Sequence, residues 1–215
     1  MTRYNAVDVF RQGLIALTVL LIAGVAQAQE STTAQTVDPE TPIGVVTLTV
    51  ERVIAILQDD STAEATQKRQ VRAVIGENFD FAAMANRVLA TNWRKASKAQ
   101  RARFTSLFRE LLSNTYWRKI SGYSNERVEY MTERMRSETL ATVNTVIHTD
   151  TVDIPVDYNL YNKAGRWMAY DVVIEQVSLV RNYRSSFQDI VHDSGIDGLI
   201  SQLQIKVAES SIEAE

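Results

Sequence analysis

The sequence predicts an α+β fold, and the evidence is two changes of period along the chain. Apolar residues recur at helical spacing from Thr41-Pro42 to Ile120, at alternating spacing from Arg127 to Gln176, and at helical spacing again as far as Val207. Consecutive strands separated by short polar turns are most simply joined as antiparallel hairpins, so about four strands are expected to pack against several helices. With 45% apolar residues there is material for a substantial core and for a cavity inside it.

The N-terminal segment "MTRYNAVDVFRQGLIALTVLLIAGVAQAQE" has the anatomy of a secretory signal peptide. Arg3 and Arg11 make a positive start, and Leu14 to Ala23 is too short to span a bilayer as a permanent helix. Ala26-Gln27-Ala28 is a small-x-small cleavage signature. Residues 1–28 are therefore expected to be removed after Ala28; a retained anchor is the alternative, disfavoured by the polar sequence that follows. Residues 29–40, "QESTTAQTVDPE", lack periodicity and read as a disordered leader, with the folded domain over 41–208 and a polar tail over 209–215.

Thr41-Pro42 is an N-cap with proline in the first turn, and Val46, Val50, Val53, Ile54 and Leu57 follow on one helical face. A second helix is expected through Lys68 to Ile75, and a third in "NFDFAAMANRVL" with Asp80 near its start. Ser97 and Gln100 form a capping-box pattern before the longest helix. Its stripe of Phe104, Leu107, Phe108, Leu111 and Leu112, extended by Tyr116 and Ile120, is broad enough to touch more than one neighbour. The strand runs are "RVEYMTERM", "ETLATVNTVIHT", "DIPVDYNLYN" and "RWMAYDVVIEQ". The third points Ile154, Val156, Tyr158 and Leu160 inward. The fourth points inward either Met168, Tyr170, Val172 and Ile174, or Trp167, Ala169, Asp171 and Val173. Two helices close the chain. Tyr183, Phe187, Ile190 and Val191 stripe the first, which Gly195 ends; Ile196, Leu199, Ile200, Leu203 and Val207 stripe the second.

The formal charge of −3 and pI near 5.5 argue against nucleic acid, whose phosphates require a basic face, and against permanent residence on anionic lipid. With no cysteine, disulfides and thiolate metal sites are excluded; an exported protein of this kind fits a bacterial periplasm. The two histidines, His148 and His192, lack ligand spacing, so no metal or cofactor is expected. There is no G-x-S-x-G, G-x-x-x-x-G-K, G-x-G-x-x-G or H-E-x-x-H. Asp171, an acid within an apolar strand, is the residue to weigh as a catalytic acid or base. A structural ion pair with Arg181 or Arg184 is the favoured account, because a lone acid without nucleophile or histidine makes a poor enzyme. Tyr158, Tyr161, Tyr170, Trp167 and Trp93 read more readily as core or rim than as a stack for a planar ligand. Lys95, Lys98, Arg101 and Arg103 form a basic cluster at the start of the long helix, either a solvated face or a docking patch for an acidic partner.

Together, "FDFAAMANRVLATNWRKASKAQRARFTSLFRELLSNTYWRKISGY", "VNTVIHT", "IPVDYNLY", "WMAYDVVIEQVSLVRNYRSSF" and "GIDGLISQL" resemble the MlaC, or toluene-tolerance, family of periplasmic phospholipid-binding proteins, in order from about Phe79 to Leu203. Two departures stand out: Ala90 and Gln176 occupy places where the family tends to have glycine. The resemblance implies helices on a curved antiparallel sheet enclosing a deep apolar cavity for acyl chains. It also implies a non-enzymatic shuttle between an outer-membrane lipoprotein-porin complex and an inner-membrane transporter complex with an MCE-domain subunit and an ATPase, maintaining outer-membrane lipid asymmetry. On that reading the cavity wall is expected to include Val143, Ile147, Val156, Tyr158, Leu160, Tyr170, Val172 and Ile174 from the sheet. From the helices it is expected to include Phe81, Met84, Leu107, Leu111 and Tyr116. The rivals are an enzyme using Asp171 on an apolar substrate and a chaperone-like domain whose apolar faces are simply core. A monomer is the expected state of a shuttle.

Overall fold

A computed structural model describes residues 37–122 and 126–212, with side chains as far as residue 210. The expected signal peptide and most of the leader lie outside the described residues. Within them the chain runs α1 (Pro42–Leu57), α2 (Glu64–Asn78), α3 (Phe81–Leu89), α4 (Thr91–Lys95) and α5 (Lys98–Ile120). It continues through β1 (Arg127–Ser137), β2 (Leu140–His148), β3 (Asp153–Lys163), β4 (Arg166–Ile174) and β5 (Val177–Ser178) to α6 (Leu179–Ile212). The strands form one open antiparallel sheet in chain order. The α+β class holds, with a fifth, two-residue strand beyond the four expected.

The helix ends follow local chemistry. The Thr41 hydroxyl accepts from the Gly44 amide at 3.1 Å with Pro42 in the first turn, and Ser97 and Gln100 close a reciprocal capping box on α5. Where two closing helices are expected, α6 is broken at Gly195 (φ 68°, ψ −174°). It runs on to Ile212, so the polar tail expected from 209 begins inside a helix; Asn114 Nδ2 donates to Ser210 Oγ there at 3.0 Å. The short α4 was not legible, having no apolar stripe.

Sheet register explains the ambiguity of the fourth strand. Asn159 pairs with Asp171 and Leu160 with Ala169, leaving Tyr170 as a bulge without a partner. The extra residue shifts the alternation by one. Trp167 and Ala169 face inward before it, Val172 and Ile174 after it, and each expected set describes half of the strand. The outer face is polar across the first three strands. Thr132 Oγ1 donates to Asn144 Oδ1 at 2.8 Å, and Asn144 Nδ2 to Asp157 Oδ1 at 2.7 Å.

The inner face carries two apolar clusters. Beneath α1, Val46 packs with Ala141, Val143, Leu160, Trp167 and Ala169. Towards α3, α5 and α6, Phe104 and Phe108 are completely buried and meet Phe187 edge-on at centroid distances of 6.0 and 6.3 Å. Each such ring contributes roughly 1.5–3 kcal/mol by its burial. Phe79 and Tyr158 touch both clusters.

The link between α2 and α3 is tied to the sheet by Asp80. Its amide donates to the Ala169 carbonyl at 2.9 Å, and one carboxylate oxygen caps α3 by accepting from the Ala83 amide at 2.8 Å. The other oxygen accepts from Tyr161 Oη at 2.5 Å and Lys163 Nζ at 2.7 Å. Burial pushes this carboxyl up, but the donors from Lys163, Tyr161 and Ala83 outweigh it and hold the group below its ordinary value. Asp80→Asn keeps an acceptor for the Ala83 amide but sets an NH2 donor against Tyr161 and Lys163, and should therefore cost about 2 kcal/mol at neutral pH, the scale of a lost charge-assisted hydrogen bond. Because the folded-state value is depressed, this advantage is present above the unfolded carboxylate value and fades as pH falls through the folded one. Urea melts of both proteins at neutral and acid pH check it: a gap that fails to narrow on acidification overturns the assignment.

Several non-glycine residues have positive φ. Ala164 (φ 52°) precedes Gly165 (φ 87°) in the two-residue β3–β4 turn; Glu175 (φ 48°) and Gln176 (φ 68°) form the β4–β5 turn; and Ala90 (φ 51°, ψ −119°) separates α3 from α4. Ala90 and Gln176 are the two departures from the glycines of the resembled family. A side chain in this region costs about 1–2 kcal/mol, part of which glycine gives back through the unfolded chain. Ala90→Gly and Gln176→Gly should each stabilise by about 0.5–1 kcal/mol, visible by calorimetry as a rise of roughly 2–4 °C in Tm. Unchanged or lower melting temperatures would count against strain at these turns.

Candidate functional site

A cleft of about 250 Å³ opens between the inner face of the sheet and helices α2 and α5. Val71 and Ile75, one turn apart on α2, form one wall, and Leu112, Tyr116 and Ile120, at successive i+4 steps on α5, form another. The floor is the sheet: Ile147 from β2, Val156 and Tyr158 from β3, Val172 and Ile174 from β4, all on one side of the pleat. Phe79, Phe81, Met84 and Leu179 close the remaining sides. The cleft thus lies beside Phe79 and Tyr158, where the two apolar clusters meet.

Among the described residues the wall is aliphatic and aromatic apart from Ser113, Arg72 and Arg109. Burial pushes the Tyr116 and Tyr158 phenols up to about 12, so both are neutral hydrogen-bonding groups at physiological pH. Trp117 directs its one polar atom away, Nε1 donating to Glu64 at 2.9 Å. Among the described residues neither an acid nor a histidine lines the cleft. Among the described residues no group of three or more His, Asp or Glu stands close enough to hold a metal ion.

Of the expected wall residues, Phe81, Met84, Tyr116, Ile147, Val156, Tyr158, Val172 and Ile174 line this cleft. The others stand elsewhere, for identifiable reasons. Leu107 and Leu111 belong to the closed core with Phe104 and Phe108, because the broad α5 stripe divides between that core and the cleft. Val143 and Leu160 share the inward face but lie beneath α1, beyond the cleft's end. Tyr170 is displaced by the bulge, and its ring receives the Arg87 guanidinium at 4.2 Å. Sequence reasoning missed Val71, Ile75, Leu112, Ile120, Phe79, Arg72, Arg109, Ser113, Trp117 and Leu179. The i, i+4 spacing of the first four was visible, but it does not say which neighbour a face meets.

Comparison with known proteins follows from this geometry. The family described as MlaC protein matches residues 48–205. The chain belongs to the MlaC family. The matched span runs from α1 into α6 and contains every cleft residue named above. The chain is 26% identical over 141 residues to the intermembrane phospholipid transport system binding protein MlaC of Haemophilus influenzae, covering 63% of this chain and 64% of that one. It is 22% identical over 126 residues to toluene tolerance protein ttg2D of Pseudomonas putida, covering 58% and 59%. The chain thus spans somewhat under two thirds of the length of either relative. The fold matches the solved structure of a phospholipid-binding protein from Ralstonia solanacearum in complex with a phospholipid, with a TM-score of 0.72 at 21% identity, over 78% of this chain and 97% of that one.

Within this family fold, Asp171 is a structural cap and the expected pairing with Arg181 or Arg184 does not occur. Its carboxylate accepts from Ser178 Oγ at 2.7 Å and from the Val180 amide at 3.0 Å, while Ser178 Oγ also accepts from the Arg181 amide at 3.1 Å. Arg184 Nε donates instead to the Arg87 carbonyl at 2.8 Å. The bulge turns Asp171 towards the start of α6, whose free amides supply the donors a buried acid needs. It does not line the cleft. In the basic cluster, Lys95, Lys98 and Arg103 are exposed. Arg101 is half-buried and spent on structure, its Nε donating to the Trp93 carbonyl at 2.8 Å and Nη2 to that of Arg94 at 3.2 Å. His148 is held by two acids, Nδ1 at 2.7 Å from Asp153 and Nε2 at 2.9 Å from Glu129. With Asp153 first and Glu129 second, they raise its pKa above the ordinary histidine value.

Asp171→Ala should lower stability by about 1–3 kcal/mol, the cost of leaving buried donors without their acceptor, with the cleft contents unchanged. Denaturation midpoints together with native mass spectrometry test both halves. A variant of wild-type stability whose bound material has altered would assign Asp171 to the site.

Proposed function

We propose that this protein is a non-enzymatic phospholipid carrier that takes acyl chains into the cleft between its sheet and helices α2 and α5. The observation that carries the reading is the composition of that cleft: aliphatic and aromatic apart from Ser113, Arg72 and Arg109, with no acid or histidine among the described lining residues. Such a site removes hydrocarbon from water and holds no acid or histidine to activate a hydroxyl or a water. The name of the Haemophilus relative, which concerns phospholipid transport, and that of the matched Ralstonia protein, which concerns phospholipid binding, support the same reading.

The energetics make a carrier necessary. Each methylene exposed to water costs about 0.8 kcal/mol, so a lipid with on the order of thirty methylenes meets a barrier above roughly 20 kcal/mol. A protein that covers the chains and leaves the polar head at the surface avoids both this cost and that of burying a charge. The segment before residue 29 supports export to the periplasm with cleavage after Ala28. There the carrier, as a monomer, would exchange phospholipid between an outer-membrane lipoprotein-porin complex and an inner-membrane MCE-domain transporter with an ATPase, so maintaining outer-membrane lipid asymmetry. Exposed Lys95, Lys98 and Arg103 suit encounter with acidic surfaces on such partners, an effect on association rate more than on affinity.

Native mass spectrometry of gently purified protein is the direct test, with phospholipid expected as a bound species. Val172→Asp places a carboxylate on the cleft floor, where it lacks solvent, and should remove most of the bound lipid from folded protein. Wild-type protein that arrives empty and cannot be loaded from phospholipid vesicles, or a folded Val172→Asp protein with undiminished lipid, contradicts the proposal.

A further inference from the structure

Among the described residues the cleft carries charge only where α2 meets α5. Arg72, half-buried, and Arg109, exposed, are the sole charged lining residues among those described. Arg109 is set in place: Nη2 donates to the Arg72 carbonyl at 3.2 Å, and the guanidinium lies over the Phe81 ring at 5.3 Å. The guanidinium lies close over Gly76, where an added Cβ would stand 2.8 Å from Arg109 Nη2. Lys68 stands one turn before Arg72. Its ammonium is held below its usual value by burial and by the charge of Arg72, against an opposing pull from Glu64. Glu64 itself receives Trp117 Nε1. No ion pair joins Lys68, Arg72 or Arg109 to a described acid.

Cations gathered at the mouth of an apolar cleft, with no acid on its wall, suit an anion attached to an apolar body. We infer that Arg72 and Arg109 form a phosphate subsite, holding the phosphodiester of a lipid head group while its chains occupy the cleft. Guanidinium groups match phosphate oxygens with paired N–H donors, and at a half-buried rim the anion keeps part of its hydration. This inference rests on the carrier reading and adds that the head group is held by its phosphate rather than merely left in water.

The experiment is a competition read by native mass spectrometry. Delipidated protein is offered equimolar detergent-dispersed dioleoylphosphatidylglycerol and dioleoylglycerol, which share chains and differ in the phosphate. The variants are Arg72→Gln, the double variant Arg72→Gln with Arg109→Gln, and Arg134→Gln on the exposed β1 as a charge control. Wild type and Arg134→Gln should favour the phospholipid alike. The double variant should lose at least about tenfold of that preference, the scale of charged hydrogen bonds. Arg72→Gln should lie between them. The Arg72 side chain makes no bond to the described residues, so this single variant decides the question should loss of Arg109 impair folding. Equal preference in wild type and Arg72→Gln overturns the subsite while leaving the carrier reading intact, and failure of wild type to take up either lipid overturns both. Calorimetric binding of inorganic phosphate that depends on Arg72, with no effect of Arg72 on the lipid ratio, would mean a free-anion site and overturn the head-group assignment.

Discussion

One aspartate fixes how the helices sit on the sheet. Through its amide and two carboxylate oxygens, Asp80 joins the β4 backbone, the first turn of α3 and the end of β3. The chain is thereby pinned to the sheet at the point where α2 ends and α3 begins. Helices before the pin and helices after it must cover the inner face from different directions. They form two apolar clusters in place of one, and Phe79, the residue next to the pin, touches both. A cleft beside Phe79 follows from close packing on either side of a fixed point, because neither helix group can slide to fill it.

The bulge at Tyr170 is the second fixed point. By shifting the alternation of β4 it keeps apolar residues on the inner face along the whole strand and turns Asp171 towards α6. One irregularity therefore both floors the cleft with Val172 and Ile174 and docks the final helix. It also separates polar requirements from the site: the acid in the middle of an apolar strand is satisfied by backbone and hydroxyl donors behind the wall, so the wall itself can be free of acids.

Much of this was legible in the sequence because it depends on period and on local caps. The helix starts at Thr41, Asp80 and Ser97, the strand runs, the inward set of β3 and the Ala164-Gly165 turn all lie within reach of such rules. The remainder depends on tertiary relations. A stripe as broad as that of α5 shows that several residues are covered without saying that Leu111 meets core and Leu112 meets the cleft. The partner of Asp171 was sought among nearby arginines because charge is visible in a sequence, whereas a helix N-terminus becomes a donor only once its direction is known. Arg72 and Arg109 are far apart in the chain, and only the packing of α2 on α5 brings them together.

The free edge of the sheet has a consequence for life at high concentration. Strand β1 is eleven residues long and largely exposed, yet its pairing with β2 slips between Tyr130 and Thr132 and again between Met135 and Ser137, and it displays Glu133, Arg134 and Arg136. A second copy approaching that edge would find no straight ladder to extend and would have to match alternating charges at a kinked backbone. Glu133 also accepts from the Ile43 amide at 2.9 Å, so the start of α1 stands against the same strand. The edge is thus closed to strand-by-strand polymerisation, and a chain with an exposed eleven-residue strand can remain dispersed where a flat one would seed fibrils.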